Sequence, residues 1–203
     1  MTDAAAEATA CAASGPTLVL VVGPSGAGKD TLIDAARAVF AGDPRFVFAR
    51  RIITRVSDGA TEDNDTLSPE AFDAAEIAGK FLLSWRAHGL GYAIAMEGWR
   101  ALGTGQVLVA NVSRAVIADA ERKTGQVVVL HVTAPLPVLA RRIAARGRET
   151  EADIAKRLAR QMPLSIQSAE VLEIVNDGAL EEAAARFNAA LRAVADRRAE
   201  HAG

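Results

Sequence analysis

Residues Gly23-Pro24-Ser25-Gly26-Ala27-Gly28-Lys29-Asp30-Thr31 are the part of this chain best suited to chemistry. Closely spaced glycines let successive backbone N–H groups converge on one anion, and a helix starting there adds the partial positive charge of its N-terminus. Lys29 follows at the position from which an ammonium reaches the outer phosphates of a triphosphate. Gly23, Ser25, Gly26, Ala27, Gly28, Lys29, Asp30 and Thr31 are therefore the candidate site for a nucleoside triphosphate. The flanks agree. Thr17 to Val22 is an apolar, β-branched run, and Leu32, Ile33, Ala36, Val39 and Phe40 recur at helical spacing after the loop. Strand, glycine-rich loop and helix in that order make a P-loop, rather than a glycine-rich turn with a surface lysine.

The residue after the lysine is unusual. A P-loop places Ser or Thr there to ligate Mg²⁺, and this chain has Asp30 followed by Thr31. A carboxylate beside a triphosphate adds charge to an anionic site and needs a cation. Two roles are open: a Mg²⁺ ligand, direct or through water, or a helix-start carboxylate acting as cap and dipole partner. The metal role is favoured, because Mg²⁺ takes hard oxygen donors.

Arg141, Arg142, Arg146, Arg148, Arg157 and Arg160 crowd around Gly147. Scattered charges of this kind usually mark a solvated helix. Here Arg142 and Arg146 lie four apart, and Arg157 and Arg160 three apart, so guanidinium groups share helical faces. With a P-loop upstream they read as a lid closing over transferring phosphates. Lys29, Arg142, Arg146, Arg148 and Arg157 are the candidate catalytic residues. No carboxylate presents itself as general base for a hydroxyl acceptor. A phosphate acceptor already carries an ionised oxygen and needs only positioning and charge neutralisation, so the arginines favour one. His131 has no partner at useful spacing and reads as structural; His88 falls in a loop with too little around it to assign a role.

The elements that must position these residues alternate. Arg45 to Ile53 carries a short strand pattern, Ser57 to Pro69 reads as a loop, Pro69 to Ile77 as a short helix and Phe81 to Trp85 as a strand. Val107 to Asn111 and Val127 to Val132 are continuous apolar runs, as in strands covered on both faces. Each precedes a helical pattern, over Arg114 to Lys123 and Pro137 to Ala145. Val171 to Val175 is the last strand, and Leu180, Ala184, Phe187, Leu191 and Val194 form the stripe of a C-terminal helix. The alternation predicts an α/β fold, with a parallel sheet between helices and the site at the carboxyl ends of its strands.

Composition narrows the class further. The 203 residues suit one domain, and the abundant alanine favours helices. A formal charge of −2 gives no general attraction to nucleic acid or membrane. Cys11 is the single cysteine, which excludes an intramolecular disulfide. The segment 1–16 reads as a disordered tail, with acids and no lysine or arginine, unlike a signal or transit peptide. No apolar run is long enough to span a bilayer. The expectation is a cytoplasmic protein acting on a small molecule, with no nucleic acid or membrane partner and a homodimer left open.

These residues resemble the guanylate kinase family from Thr17 to Val194. Gly23 to Thr31 matches its P-loop, and Thr54-Arg55 matches the Thr-Arg of its acceptor-binding segment. Tyr92 falls at a phosphate-contacting tyrosine, Arg142, Arg146 and Arg157 at lid arginines, and Val175-Asn176-Asp177 at a Val-Asn-Asp near the adenine. The resemblance implies a P-loop kinase core in a single domain over 17–203, an acceptor-binding insert over about 51–98 and a mobile lid over about 142–157. It also implies Asn176 as an ATP-binding residue.

The departures from that family concern base recognition. Guanine is read there by a serine, a glutamate before a tryptophan, and an aspartate after a central strand. Here Arg51 stands at the serine, Ser84 precedes Trp85, and the strand ends Val109-Ala110-Asn111; Asp58 replaces a second phosphate-binding arginine. Without those carboxylates a guanine edge would be desolvated unpaired. The combination looks like the ribose 1,5-bisphosphate phosphokinase branch, on the phrases Arg51-Ile52-Ile53-Thr54-Arg55, Leu83 to Leu90, Ser113-Arg114 and Arg146-Gly147-Arg148-Glu149. That likeness implies transfer of the ATP γ-phosphate to ribose 1,5-bisphosphate, giving 5-phosphoribosyl 1-diphosphate in phosphonate catabolism. Arg51, Thr54, Arg55, Ser84, Tyr92, Ser113 and Arg114 are then the acceptor-binding candidates. A guanylate or other nucleoside monophosphate kinase is the alternative.

Overall fold

The computed structural model describes residues 15–54, 64–145 and 164–201. Strand β1 (Thr17–Val22) is buried along its whole length, as its uninterrupted β-branched and leucine content requires. It lies at the centre of a five-stranded sheet ordered β2-β7-β1-β8-β9, where β2 is Phe46–Phe48, β7 Val107–Asn111, β8 Val127–Thr133 and β9 Glu170–Val175. Every pairing in this sheet is parallel. Alternate residues of β1 serve opposite faces. Val19 and Val21 join Leu32, Ile33 and Ala36 of α1 (Lys29–Val39) and Phe187, Leu191 and Val194 of α6 (Leu180–His201). Leu18, Leu20 and Val22 join Ile117 and Ala120 of α4 (Ile117–Thr124). Each fully buried valine, leucine, isoleucine or phenylalanine side chain among these contributes about 1.5–3 kcal/mol relative to exposure. The expected α/β architecture is observed.

A second sheet was not legible as such. Strands β3 (Arg51–Thr54), β4 (Asn64–Leu67), β5 (Phe81–Ala87) and β6 (Leu90–Ala95) form it in the order β4-β3-β6-β5. It is mixed: β3 and β4 run parallel, while β6 is antiparallel to both β3 and β5. One face, through Leu83 and Ile94, packs against the same core cluster as Leu20 and Val22. The other is covered by α2 (Pro69–Ile77), whose Phe72 stacks in a tilted pair with Phe81 at 4.8 Å. Ser68 caps α2 by accepting from the Ala71 N–H at 3.2 Å.

Several expectations need correction. The segment read as a loop contains β4, a polar strand held by its pairing with β3. Leu90 to Ala95 is a strand although built largely from glycine and alanine, and α3 (Met96–Arg100) follows it directly. The helix expected from Arg114 to Lys123 is divided into a 3₁₀ turn over Arg114–Val116 and then α4, with Ser113 capping the turn. Helix α5 spans Leu136–Ala144, one residue earlier than its pattern suggested. Val39 is 51% exposed and lies off the core stripe of α1. Most of the expected tail, and all of the expected lid beyond residue 145, lie outside the described residues.

Candidate active site

The P-loop leaves β1 at the middle of the sheet, where the chain order of neighbouring strands reverses and a crevice opens at their carboxyl ends. Two of its glycines are required by contact. A Cβ on Gly23 would run into the carbonyl oxygen of Val132 on β8. Gly28 has φ +86°, and a Cβ there would stand 2.5 Å from Asn176 Nδ2. Gly28 takes the N-cap position of α1, so the backbone N–H groups that open this helix face the loop.

The loop is suspended from the neighbouring strand ends. Asn176, immediately after β9 and only 3% exposed, donates from Nδ2 to the Ala27 carbonyl at 2.8 Å. Its own N–H donates to Thr133 O at 2.8 Å, and its carbonyl accepts from Arg142 Nη1 at 2.9 Å. Lys29 Nζ donates to the carbonyls of Gly23 and Pro24 at 2.9 and 3.0 Å, which holds the ammonium at the loop mouth. Asp30 Oδ1 accepts from Asn111 Nδ2 at 2.6 Å and stands 3.6 Å from Arg51 Nη2.

A cleft of about 330 Å³ opens in front of these groups. Gly23, Ser25 and Lys29 form one end, Asn111 to Arg114 line it from the end of β7, and Arg51, Trp85, His88 and Tyr92 form the wall given by the second sheet. The Trp85 and Tyr92 rings are stacked, with centroids 5.5 Å apart and 9° between planes. Among the described lining residues Lys29, Arg51 and Arg114 bring fixed positive charge, and none is an aspartate or glutamate. Such a cleft receives anions. Burial lowers the pKa of Arg114 from its ordinary value, yet a guanidinium stays charged at any physiological pH. Behind the cleft, His131 of β8 has its pKa lowered by burial, then by Arg114 and Lys29, against the opposing pull of Glu173. Its buried Nε2 has no hydrogen-bond partner among the described residues.

The structure brings Ser25, Lys29, Arg51, Tyr92, Ser113 and Arg114 to this one cleft. Thr54 and Ser84 are not among its lining residues, and the alternation of the strands explains both. Arg51 pairs with Ile94, and Trp85 with Tyr92, on the cleft face of the second sheet. Thr54 and Ser84 occupy the opposite parity. Thr54 Oγ1 accepts from the Gly91 N–H at 2.7 Å, and Ser84 faces Glu76 of α2, whose carboxyl it helps hold below the usual range. Asn176 and Arg142 likewise bond the loop and its support in this structure. Arg55, Arg146, Arg148 and Arg157 lie outside the described residues. Asn111, Trp85 and His88 are cleft residues that sequence reasoning did not assign; for Asn111 the signal was its place at the carboxyl end of the strand beside β1.

No model of a known protein family matches the chain. The ribose 1,5-bisphosphate phosphokinase PhnN of Methylobacterium radiotolerans is 54% identical over 176 residues, covering 87% of this chain and 97% of that protein. The chain belongs to the ribose 1,5-bisphosphate phosphokinase family. A bifunctional ribose 1,5-bisphosphokinase-thymidine phosphorylase of Cupriavidus pinatubonensis is 49% identical over 176 residues, which make up 29% of that longer protein. A guanylate kinase from Anaplasma phagocytophilum has the same fold, with a TM-score of 0.62 at 20% identity, over 89% of this chain and 86% of that one. Membership in this phosphokinase family makes the chain an ATP-dependent phosphotransferase on a guanylate-kinase-like P-loop fold.

Proposed function

We propose that this protein transfers the γ-phosphate of ATP to the 1-phosphate of ribose 1,5-bisphosphate, forming 5-phosphoribosyl 1-diphosphate and ADP, a step in phosphonate breakdown. The observation that carries the reading is the cleft itself. It joins a P-loop to two arginines, Arg51 and Arg114, and has, among its described lining residues, no carboxylate that could read a base. An arginine facing a purine edge would lack an anionic partner, whereas one facing a sugar phosphate gains a charge-assisted pair.

The chemistry asks little of a base. An ionised oxygen of the acceptor's 1-phosphate attacks the γ-phosphorus, the bond from that phosphorus to the bridging oxygen breaks, and ADP leaves with the electron pair. Lys29 neutralises charge as it shifts onto the bridging oxygen. The N–H groups at the start of α1 hold the β-phosphate, and Arg51 and Arg114 hold the sugar bisphosphate in line. Asp30 fits a divalent cation: it is exposed, at the loop mouth, and oxygen-donating, and Mg²⁺ commonly takes one carboxylate with phosphates and water. A Mg²⁺ ion held by Asp30 would supply charge neutralisation for the transferring phosphate.

Purified protein given ATP and a panel of phosphorylated acceptors tests this. Ribose 1,5-bisphosphate is converted and GMP is not; Arg51→Ala and Arg114→Ala each raise KM for the bisphosphate about tenfold and leave KM for ATP within twofold. Efficient GMP phosphorylation with none on the sugar bisphosphate would replace this reading with a nucleoside monophosphate kinase.

A further inference from the structure

The turn between β5 and β6 consists of His88 and Gly89, with Ala87 paired to Leu90 across it. Both turn residues have positive φ, 52° and 74°, which is the two-residue turn that matches strand twist and strongly prefers Asn-Gly or Asp-Gly. His88 is the one non-glycine residue at positive φ among the described residues. His88 lines the positively charged cleft and makes no side-chain hydrogen bond or ion pair with the described residues. A locally disfavoured residue at a position where asparagine would fold better indicates selection by something other than the turn.

The strand register fixes where His88 stands. Arg51 is opposite Ile94, and Tyr92 is two residues nearer the turn, opposite Trp85. The turn lies three residues beyond Tyr92, so about 16 Å of strand separates the level of Arg51 from the level of Gly89. Along one wall the order is cation, stacked aromatic pair, imidazole.

We propose that His88 is a phosphate ligand of the acceptor and holds the end opposite the one held by Arg51, with the sugar lying against Trp85 and Tyr92. This rests on the reading of the acceptor as a sugar carrying a phosphate at each end. The imidazole donates N–H to a phosphate oxygen, and as imidazolium it adds charge to the contact. The binding step involves no covalent change at His88.

His88→Asn is the informative substitution, because asparagine keeps the turn and removes the imidazole. KM for ribose 1,5-bisphosphate rises about tenfold, while KM for ATP and kcat stay within twofold. The end-specific readout is inhibition by ribose 1-phosphate and by ribose 5-phosphate. His88→Asn weakens one of these inhibitors and spares the other, and Arg51→Ala shows the reverse pattern. An unchanged KM for the bisphosphate in active His88→Asn protein overturns the assignment, as does loss of the same monophosphate in both variants. Wild-type protein inert toward ribose 1,5-bisphosphate overturns the acceptor reading itself, and His88 with it.

Discussion

The buried side-chain amide of Asn176 donates to the Ala27 carbonyl at 2.8 Å, which ties the end of the edge strand β9 to the middle of the P-loop. The same residue's carbonyl takes a hydrogen bond from Arg142, so one position braces the phosphate loop and anchors the end of α5. Removing the amide leaves the Ala27 carbonyl unpaired in a buried place. Asn176→Ala should cost about 1–3 kcal/mol in stability and raise KM for ATP, read by urea unfolding and steady-state kinetics. Wild-type stability and ATP use in this variant would show that the loop needs no such brace.

On the proposed mechanism Lys29 acts on charge that develops during transfer. Lys29→Ala should lower kcat by a hundredfold or more, the order expected for loss of one preorganised electrostatic donor, while the fold survives. Circular dichroism establishes folding, and turnover at saturating ATP gives the effect. Near wild-type turnover would remove the P-loop lysine from the mechanism.

Asp30 is shared between Asn111 and Arg51 and also borders the phosphate loop. Asp30→Asn should raise the Mg²⁺ concentration giving half-maximal rate several-fold, because one hard anionic donor is lost. A titration of rate against Mg²⁺ at fixed ATP decides it. An unchanged curve would leave Asp30 as a partner of Arg51 and the helix start alone.

Glu121 of α4 is the pH-sensitive strut of the fold. Burial raises its pKa, but the N–H groups of Ser168, Ala169 and Gln167, with the Ser168 hydroxyl, outweigh that and hold it below the usual value of 4.5. Its carboxylate accepts from Ser168 N and Ala169 N at 2.7 Å each. A group with a depressed native pKa binds its proton more readily when unfolded. Its contribution is therefore complete above about 4.5 and disappears as pH falls through the lower native value. Glu121→Gln should lose roughly 2 kcal/mol at pH 7, and the gap to wild type should close as pH falls through the depressed native value. Urea denaturation at a series of pH values measures both; a pH-independent gap would contradict the assignment.

What could be read from the sequence, and what could not, divides along physical lines. β1, β7 and β8 were legible because strands covered on both faces carry uninterrupted apolar residues. The glycines of the P-loop were legible because their spacing reports backbone approach to an anion. β6 was not, since Gly91, Ala93 and Ala95 give little strand signal, and of its two partners β5 is joined to it by a turn without the usual Asn-Gly or Asp-Gly while β3 is distant in sequence. Thr54 and Ser84 were assigned to the acceptor by position in a motif. A motif does not say which face of a strand a residue occupies, and both belong to the α2 side. The Asn176 contact to Ala27 spans 149 residues, so no local pattern could announce it.

Trp85 stacks on Tyr92 in the wall of the cleft, and Tyr92 is the single tyrosine of a chain with two tryptophans. At a centroid separation of 5.5 Å, light absorbed by the phenol passes to the indole, so the pair emits as one fluorophore. The other indole, Trp99, packs against the second core cluster and does not line the cleft. A Trp99→Phe protein would therefore carry one emitting centre, located in the wall of the cleft. Its spectrum and quenching by iodide would report occupancy of that cleft in real time, without a label and separately from turnover.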